Sequence, residues 1–300
     1  SLENLDLSHF NTQSVITMPS MFTKCIKLQT LDLTSFNTSK VIDISSMFNG
    51  CYLLKNLDVR SFDTSNVQTM SAMFSDCRSL TSIDVSKFNT EKVTEMSSLF
   101  SRCEKLQSVD ITNFKTNNVK YLSNLFEHCV SLTSINVSNL NLKSAISISS
   151  MFYNCTSLRN IDVSNFNTGN VETISGLFAY CTSLRSVDVS NFDTTKVYSF
   201  SSMFYKCSEI EEIDISKFKF NSLRDMDWMF KNCSKLKTIK FPNSRTPQLT
   251  RMSSVFEGCE SLTSLDLSGF YTSQVSTFDN LFSGCKKLTK LNIATFDTSQ

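Results

Sequence analysis

The sequence predicts an α/β solenoid, a single stack of similar coils, and three observations support this fold class. Eleven cysteines follow one another at a constant spacing of 26 residues. A phenylalanine stands three residues before each cysteine, and further phenylalanines form a second column with the same period. The period continues without insertion or deletion through 300 residues, about 11.5 repeats. We therefore expect the whole chain, 1–300, to form one domain that is cut within a repeat at both ends.

The first half of each repeat predicts a short parallel strand. In one repeat, Leu31 and Leu33 flank Asp32, so the leucines should face the core and the aspartate the solvent. With Leu28 they form Leu-x-x-Leu-x-Leu, the opening half of a leucine-rich repeat, which predicts a ladder of parallel strands on one face. Phe36 occupies the position of the usual ladder asparagine. We expect an aromatic spine at that bend.

The second half of each repeat predicts a short helix on the other face. Apolar residues between positions 41 and 51 recur at helical spacing. The column of Ser45 contains only serine and aspartate, apart from Pro19. Because both residue types accept hydrogen bonds from first-turn amides, Ser45 is expected to cap a helix of about two turns over residues 47–51. Thr38, in a column that is threonine in ten of twelve repeats, predicts a single turn before it.

Two repeats depart from the pattern. Around Asn136 the spine phenylalanine is replaced by leucine. Around Lys240 the strand contains Pro242, Ser244 replaces the spine phenylalanine, and the only tryptophan, Trp228, stands shortly before. These departures are either tolerated sequence drift or a local binding patch formed by Trp228, Lys240 and Pro242.

The cysteine column is predicted to be a row of buried free thiols. Free cysteine behaves as a small buried hydrophobic residue, and these cysteines fall on the apolar side of the second half. Neighbouring coils lie about 5 Å apart, close to the spacing that a disulfide accepts, so pairing is an alternative although eleven is odd. A metal site is a third alternative, without any Cys-x-x-Cys pair to support it. The column is Cys25, Cys51, Cys77, Cys103, Cys129, Cys155, Cys181, Cys207, Cys233, Cys259 and Cys285.

Aspartates form an outward column on the strand half. Carboxylates stacked about 5 Å apart repel by ~1 kcal/mol per pair in water, so their charge must be offset. One interpretation is that neighbours such as Thr34, Ser86 and Ser164 donate hydrogen bonds to them. The other is a concave ridge that binds cations or a cationic partner. The column is Asp6, Asp32, Asp58, Asp84, Asp110, Asp162, Asp188, Asp214 and Asp266, completed by Asn136, Asn292 and Lys240.

Composition argues against several classes of partner and chemistry. Basic and acidic residues number 29 and 28 without charge blocks, so we expect no nucleic-acid partner. No apolar run approaches the ~18 residues of a membrane span, so direct membrane insertion is not expected. His9 and His128 stand in different columns, and no phosphate-binding glycine loop occurs, so we predict neither an enzyme nor a cofactor. Four sequons would permit N-glycosylation in a eukaryotic secretory route, at Asn37, Asn136, Asn154 and Asn232.

The repeat resembles the BspA-like leucine-rich-repeat surface proteins. The resemblance is carried by Asn-Phe-Asp-Thr-Thr-Lys-Val at 191–197 and Ser-Ser-Met-Phe-x-x-Cys at 201–207, and it extends over every repeat. It is similar in particular to the 26-residue variety found in microbial surface lipoproteins and wall-anchored proteins. The resemblance implies a non-enzymatic protein, extracellular or at the cell surface, that acts in adhesion or interaction. It assigns no catalytic residues.

Three functional hypotheses follow. The leading one is an adhesion or interaction module that binds a protein or a glycan. The alternative is a structural segment of an extracellular filament or coat, with further copies of the chain joined end to end, because neither terminal repeat becomes polar. An intracellular scaffold is the third.

Overall fold

The chain winds into a stack of coils, one for each 26-residue repeat. The computed structural model describes residues 3, 5–297 and 299. Residues one repeat apart become neighbours, as in the parallel bridges that join Thr17 to Asp43 and Asp43 to Thr69. The buried side chains form one continuous core along the array. The predicted leucine-rich-repeat solenoid is confirmed at this level.

Regular strands are short, and they occupy the half of the repeat in which they are predicted. They are β1 (Glu212–Asp214), β2 (Thr238–Lys240), β3 (Ser264–Asp266) and β4 (Lys290–Asn292). β1 pairs with β2 and β3 with β4, both in parallel and with a register of one repeat. The alternation is the predicted one in an earlier coil too, where Leu31 and Leu33 are buried and Asp32 is exposed.

A second parallel ladder, which the sequence did not predict, runs along the other half of the coils. It consists of single-residue bridges that start at Thr17 and continue coil by coil to Arg251. Beside it, the Ile42 amide donates to the Ile16 carbonyl at 2.8 Å. The coils are therefore joined on two sides.

The predicted helix over residues 47–51 is wrong, and the described part of the chain contains no helix. Two successive turns replace it, closed by hydrogen bonds of 3.1 Å from the Asn49 amide to the Ser46 carbonyl and from the Cys51 amide to the Phe48 carbonyl. The amides of alternate residues in these turns point along the stack toward the next coil. Those of Ser46, Phe48 and Gly50 donate to carbonyl groups of the next coil at 2.8, 2.9 and 2.9 Å.

Left-handed residues explain why no helix forms. Ser46 has φ of 53° and Gly50 has φ of 75°, and the same two positions have positive φ in each of eleven coils. A right-handed helix requires negative φ throughout, so two left-handed residues four positions apart interrupt it. Ser45 is consequently not a helix cap, because its amide and hydroxyl both donate to the Asp43 carboxylate, at 2.8 and 2.6 Å.

Two phenylalanine columns fill the core. Rings of the column that begins at Phe22 stack in unbroken succession to Phe282, with centroids between 5.5 and 6.0 Å apart. The predicted aromatic spine is confirmed at Phe36, which is buried and stacks on Phe10 and Phe62 at 6.2 and 6.5 Å. Each ring thus buries its faces against the coils before and after it.

The threonine column links coils through buried hydroxyl groups. The predicted single turn is present, since the Val41 amide donates to the Thr38 carbonyl at 2.9 Å. The hydroxyl, however, reaches the next coil. Thr116 Oγ1 donates to the Asn141 carbonyl at 2.9 Å and accepts from the Asn141 amide at 2.7 Å. One side chain therefore satisfies both backbone groups of its neighbour.

Replacing Phe88 by alanine should lower the free energy of unfolding by about 3–5 kcal/mol, because the ring is only 2% exposed within the core. Phe10→Ala is the matched control and should have a much smaller effect, because that ring is 48% exposed. Urea denaturation of both variants measures the difference. Equal losses would contradict the burial of Phe88 between successive coils.

Replacing Thr116 by valine should lower the free energy of unfolding by about 1–3 kcal/mol, since it removes the partner of two backbone groups in the next coil. Thr112→Val is the control, because the exposed Thr112 hydroxyl donates only to Asp110. Its effect should stay within about 0.5 kcal/mol. Chemical denaturation followed by circular dichroism compares the two, and a neutral Thr116→Val would refute the linking role.

Candidate functional site

The outward aspartate column is built from identical local turns. In all nine aspartates Oδ1 accepts a hydrogen bond from the backbone amide two residues later, at 2.8–3.0 Å. The Thr34 hydroxyl adds a second bond to Asp32 at 2.7 Å. These bonds favour the ionised form and lower the pKa of every carboxyl in the column. Local donors thus offset the repulsion between stacked charges.

Cations pair with two members of the column. Arg60 forms an ion pair of 2.7 Å with Asp58, and its side chain lowers the pKa of Asp58 to about 2. Lys240 continues the column as a cation, with Nζ at 3.1 Å from Asp214 Oδ2. The hydroxyl and amide of Ser216, and then Lys240, lower the pKa of Asp214 to about 2. The exposed row therefore carries both free carboxylates and carboxylates already paired with cations.

All eleven cysteines are free thiols, and the predicted burial is confirmed for nine of them, while Cys25 and Cys285 are half-buried. Each Sγ from Cys51 onward donates to the phenylalanine carbonyl 29 residues earlier, at 3.0–3.3 Å. Burial raises the pKa of Cys51 to about 12. The thiols therefore fill the core and hydrogen-bond the preceding coil.

Trp228, Lys240 and Pro242 do not form one patch. Lys240 and Pro242 line a cavity of about 440 Å³, and Trp228 is absent from its lining. Trp228 instead lies in the turn half, 45% exposed, with a left-handed φ of 60°. The proposed irregular patch is therefore two separate features.

The repeat around Lys240 compensates for its missing spine phenylalanine. Phe241 occupies the inward strand position, and its ring takes the space that Ser244 leaves. It makes edge-to-face contacts with centroid distances of 6.2, 6.1 and 5.2 Å to Phe230, Phe256 and Phe270. Gly269 makes room for the displaced backbone, since a Cβ there would lie 3.2 Å from the Ser244 carbonyl oxygen. The irregularity is chiefly a repacked core.

An ion pair between the buried carboxylate of Asp227 and the exposed side chain of Arg251 takes the place of the predicted cap. This carboxylate is only 5% exposed, and Arg251 Nη2 lies 2.6 Å from its Oδ2. The Ser253 amide donates to its other oxygen at 2.7 Å. Burial raises the pKa of the neighbouring Asp225. The serine and aspartate of this column therefore differ in role.

The four sequons fall into two structural groups. Asn37 and Asn136 are exposed, and each accepts a 2.7 Å hydrogen bond from the serine hydroxyl two residues later. Asn154 and Asn232 lie at left-handed turn positions. Asn154 Nδ2 is held by His128 Nδ1 at 2.8 Å. Of the four asparagines, only the first pair is exposed to solvent, while Asn154 and Asn232 are half-buried.

Sequence reasoning missed an aromatic row on the turn half. We define the aromatic row as His128, Tyr153, Tyr180 and Tyr205, one ring in each of four consecutive coils. Its signal in the sequence is the appearance of tyrosine in two adjacent columns that elsewhere hold mostly small, polar or charged residues. All four side chains are half-buried.

Within residues 5–297, no three His, Cys, Asp or Glu side chains converge in a way that could hold a metal ion. The described residues also include no helix that is long and apolar enough to cross a bilayer.

Comparison with protein families identifies the repeat. A family described as "Mycoplasma protein of unknown function, DUF285" matches residues 1–80, 54–160, 146–241 and 224–300. Together these matches cover every repeat of the chain. The chain belongs to the DUF285 family. No curated protein matches this DUF285 chain.

Solved structures similar to this DUF285 protein include bacterial leucine-rich-repeat proteins. A protein from Bacteroides ovatus is 20% identical with a TM-score of 0.41, over 92% of this chain and 82% of that one. One from Eubacterium ventriosum is 14% identical with a TM-score of 0.45, over 95% and 82%. A leucine-rich cell surface protein from Faecalibacterium prausnitzii is 16% identical with a TM-score of 0.33, over 95% and 84%.

The thiols of the DUF285 chain should resist alkylation in the native state, because burial raises the pKa of the central cysteines and blocks access. Iodoacetamide followed by mass spectrometry should label the half-buried Cys25 and Cys285 first. The other nine should react only in denaturant. Rapid native labelling of Cys103 or Cys129, or crosslinks between successive cysteines, would contradict this burial.

Stability should fall in acid because of the aspartate column. Its folded-state pKa values are lowered, so stabilisation is complete above the unfolded pKa of about 3.9 and is lost as the pH falls toward about 2. Urea unfolding between pH 7 and pH 2 measures this dependence. Asp58→Asn and Asp214→Asn together should make it shallower. A midpoint that is constant down to pH 2 would be inconsistent with these bonds.

Proposed function

We propose that this chain is a non-enzymatic adhesion or interaction module, secreted or exposed at the cell surface, that binds a protein or glycan ligand. The observation that carries the proposal is the regularity of the surface. Nine aspartates stand in one outward column in the same local turn, on coils joined at a constant register. Such a surface repeats one chemical group at the spacing of the coils.

Rigidity of the stack supports a binding role. The core columns are buried from coil to coil, and hydrogen bonds join the coils on both halves of the repeat. A surface that is already ordered loses little conformational entropy on binding, which favours affinity. The outward rows are therefore preorganised for an extended ligand.

The non-enzymatic part of the proposal is supported by the uniformity of the carboxylates. Acid–base catalysis by two carboxyls uses environments that push their pKa values apart. All nine aspartates of the column instead have lowered pKa values, caused by the same type of hydrogen bond. His128 is engaged with Asn154. The surface location rests on the BspA-like resemblance of residues 191–207.

The alternative function is a segment of an extracellular filament or coat. It is supported by the polarity of the two successive turns in each coil, whose left-handed residues and the residue between them donate their amides to carbonyl groups of the next coil. In one such step, Ser98, Phe100 and Arg102 donate to the following coil at 2.9, 3.0 and 2.6 Å. Any coil can therefore follow another head to tail, which is the property a filament needs.

Binding of the purified chain to arrays of extracellular proteins and of glycans tests the proposal. We expect saturable binding to at least one ligand, measured afterwards by calorimetry. If the aspartate column contributes, neutralising Asp58, Asp84 and Asp110 to asparagine should weaken binding of a cationic ligand. Asp43→Asn, Asp63→Asn and Asp193→Asn form the matched control, outside the column. No saturable binding on either array would overturn the proposal.

A further inference from the structure

Three rings of the aromatic row are tyrosines of consecutive coils, and they lie in contact with one another. Ring centroids are separated by 5.3 Å between Tyr153 and Tyr180 and by 4.9 Å between Tyr180 and Tyr205. The closer pair, Tyr180 and Tyr205, meets edge to face with an angle of 71° between the ring planes. In such a contact the edge carbons of one ring lie against the face of the other.

The register of the coils produces this contact. Tyr180 and Tyr205 stand 25 residues apart in the chain and belong to different columns. Ala179 is fully buried, and it takes in its own coil the position that Tyr153 and Tyr205 occupy in the coils before and after. Because alanine leaves that position without a ring, the ring of Tyr180 can lie between the other two. The fold therefore brings together phenols that are distant in sequence.

Lys206 restrains both members of the closer pair. Its Nζ lies 4.7 Å from the ring centroid of Tyr180 and 5.5 Å from that of Tyr205, so one cation contacts both aromatic faces. The side chain of Tyr180 raises the pKa of Tyr205 to about 12 through its phenol group, and burial adds to the shift. Both tyrosines are half-buried and keep part of their surface in contact with solvent. The pair is thus held in place and remains accessible.

The other oxidisable side chains differ from this pair. Nine of the eleven cysteines are buried, and thiols react with oxidants mainly as thiolates, a form that burial disfavours. Among the described ring contacts, tyrosine meets tyrosine only within the aromatic row. The tyrosines outside the row are Tyr52, Tyr121, Tyr198 and Tyr271. Two phenols that can react with each other are therefore found at one place on the described surface.

We propose that Tyr180 and Tyr205 form an oxidative crosslinking site, at which a peroxidase-type oxidant that uses hydrogen peroxide joins the two rings as dityrosine. Holding two reacting groups in contact makes their coupling effectively unimolecular, which favours it over coupling between molecules at low protein concentration. The product is a covalent bond between neighbouring coils on the turn half. This modification does not depend on any ligand of the aspartate column.

One molecule of hydrogen peroxide balances the reaction. The oxidant removes one electron and one proton from each phenol, which gives two phenoxyl radicals. A carbon–carbon bond then forms between the ring carbons next to the two oxygens. Each of these carbons loses its hydrogen as a proton, and each oxygen regains one, so that both phenols are restored. The chain loses two hydrogen atoms in total, and the peroxide is reduced to two molecules of water.

Oxidation of the purified chain by a haem peroxidase with hydrogen peroxide, at low protein concentration, tests the site. We expect blue dityrosine fluorescence in a monomer whose mass has fallen by two hydrogen atoms, and a proteolytic peptide that links residue 180 to residue 205. Tyr180→Phe and Tyr205→Phe keep the rings but remove a phenol, so each should abolish the linked peptide. Tyr198→Phe is the matched control, because the exposed Tyr198 precedes Tyr205 in the same repeat. It should leave the crosslink unchanged.

Unfolding in urea provides a second measurement. The crosslinked chain should unfold at a higher urea concentration than the untreated chain, because a covalent link between coils constrains the unfolded state as a disulfide does. Tyr205→Phe, oxidised in the same way, should unfold at its untreated midpoint. The proposal is overturned if the oxidised monomer contains no peptide linking 180 to 205, if Tyr198→Phe loses it equally, or if it forms as readily in denaturant as in the native chain.

Discussion

The structure depends on amides that point along the stack instead of along a helix. In each coil the second half contains two left-handed residues, and the amides around them find acceptors one coil away, as Phe100 does at the Leu125 carbonyl at 3.0 Å. Buried amides without partners are strongly unfavourable. A coil can therefore satisfy its own backbone only when the next coil is present, and this makes the whole array the unit of folding.

The register between successive coils follows from the same backbone hydrogen bonds. Once the backbone is locked at a step of one repeat, every residue type that recurs at this step becomes a column. The Phe48 ring stacks on Phe74, the Thr116 hydroxyl meets Asn141, and the Cys51 thiol meets the Phe22 carbonyl. The same step orders the outside of the molecule. The aspartate column and the aromatic row are thus surface consequences of a backbone constraint.

Much of this architecture was predictable, because the 26-residue period and the alternation of apolar and polar residues indicate directly which side chains are buried. The stack, the inward Leu31 and Leu33, the Phe36 spine and the buried thiols all follow from spacing. The helix was not predictable in the same way, since inward positions of two consecutive turns mimic helical periodicity, and only the sign of φ at Ser46 and Gly50 distinguishes them. Serine has no strong preference that would reveal this sign.

The other feature that could not be predicted from the sequence is how residues of neighbouring coils compensate for a missing core side chain. Phe241 replaces a ring lost at Ser244, and Gly269 accommodates both, yet these residues belong to three different columns. The aromatic row was missed for a related reason, because its rings alternate between two columns. Each is visible only when the geometry between neighbouring coils is known.

Scalar coupling across hydrogen bonds, measured by NMR on isotope-labelled, deuterated protein, identifies the carbonyl group that accepts from each backbone amide. If the amides of the turns join successive coils, the amide nitrogen of Phe100 will show a coupling to the carbonyl carbon of Leu125, which belongs to the next coil. A coupling from Phe100 to the carbonyl carbon of Met96, the partner that an α-helix requires, would contradict it.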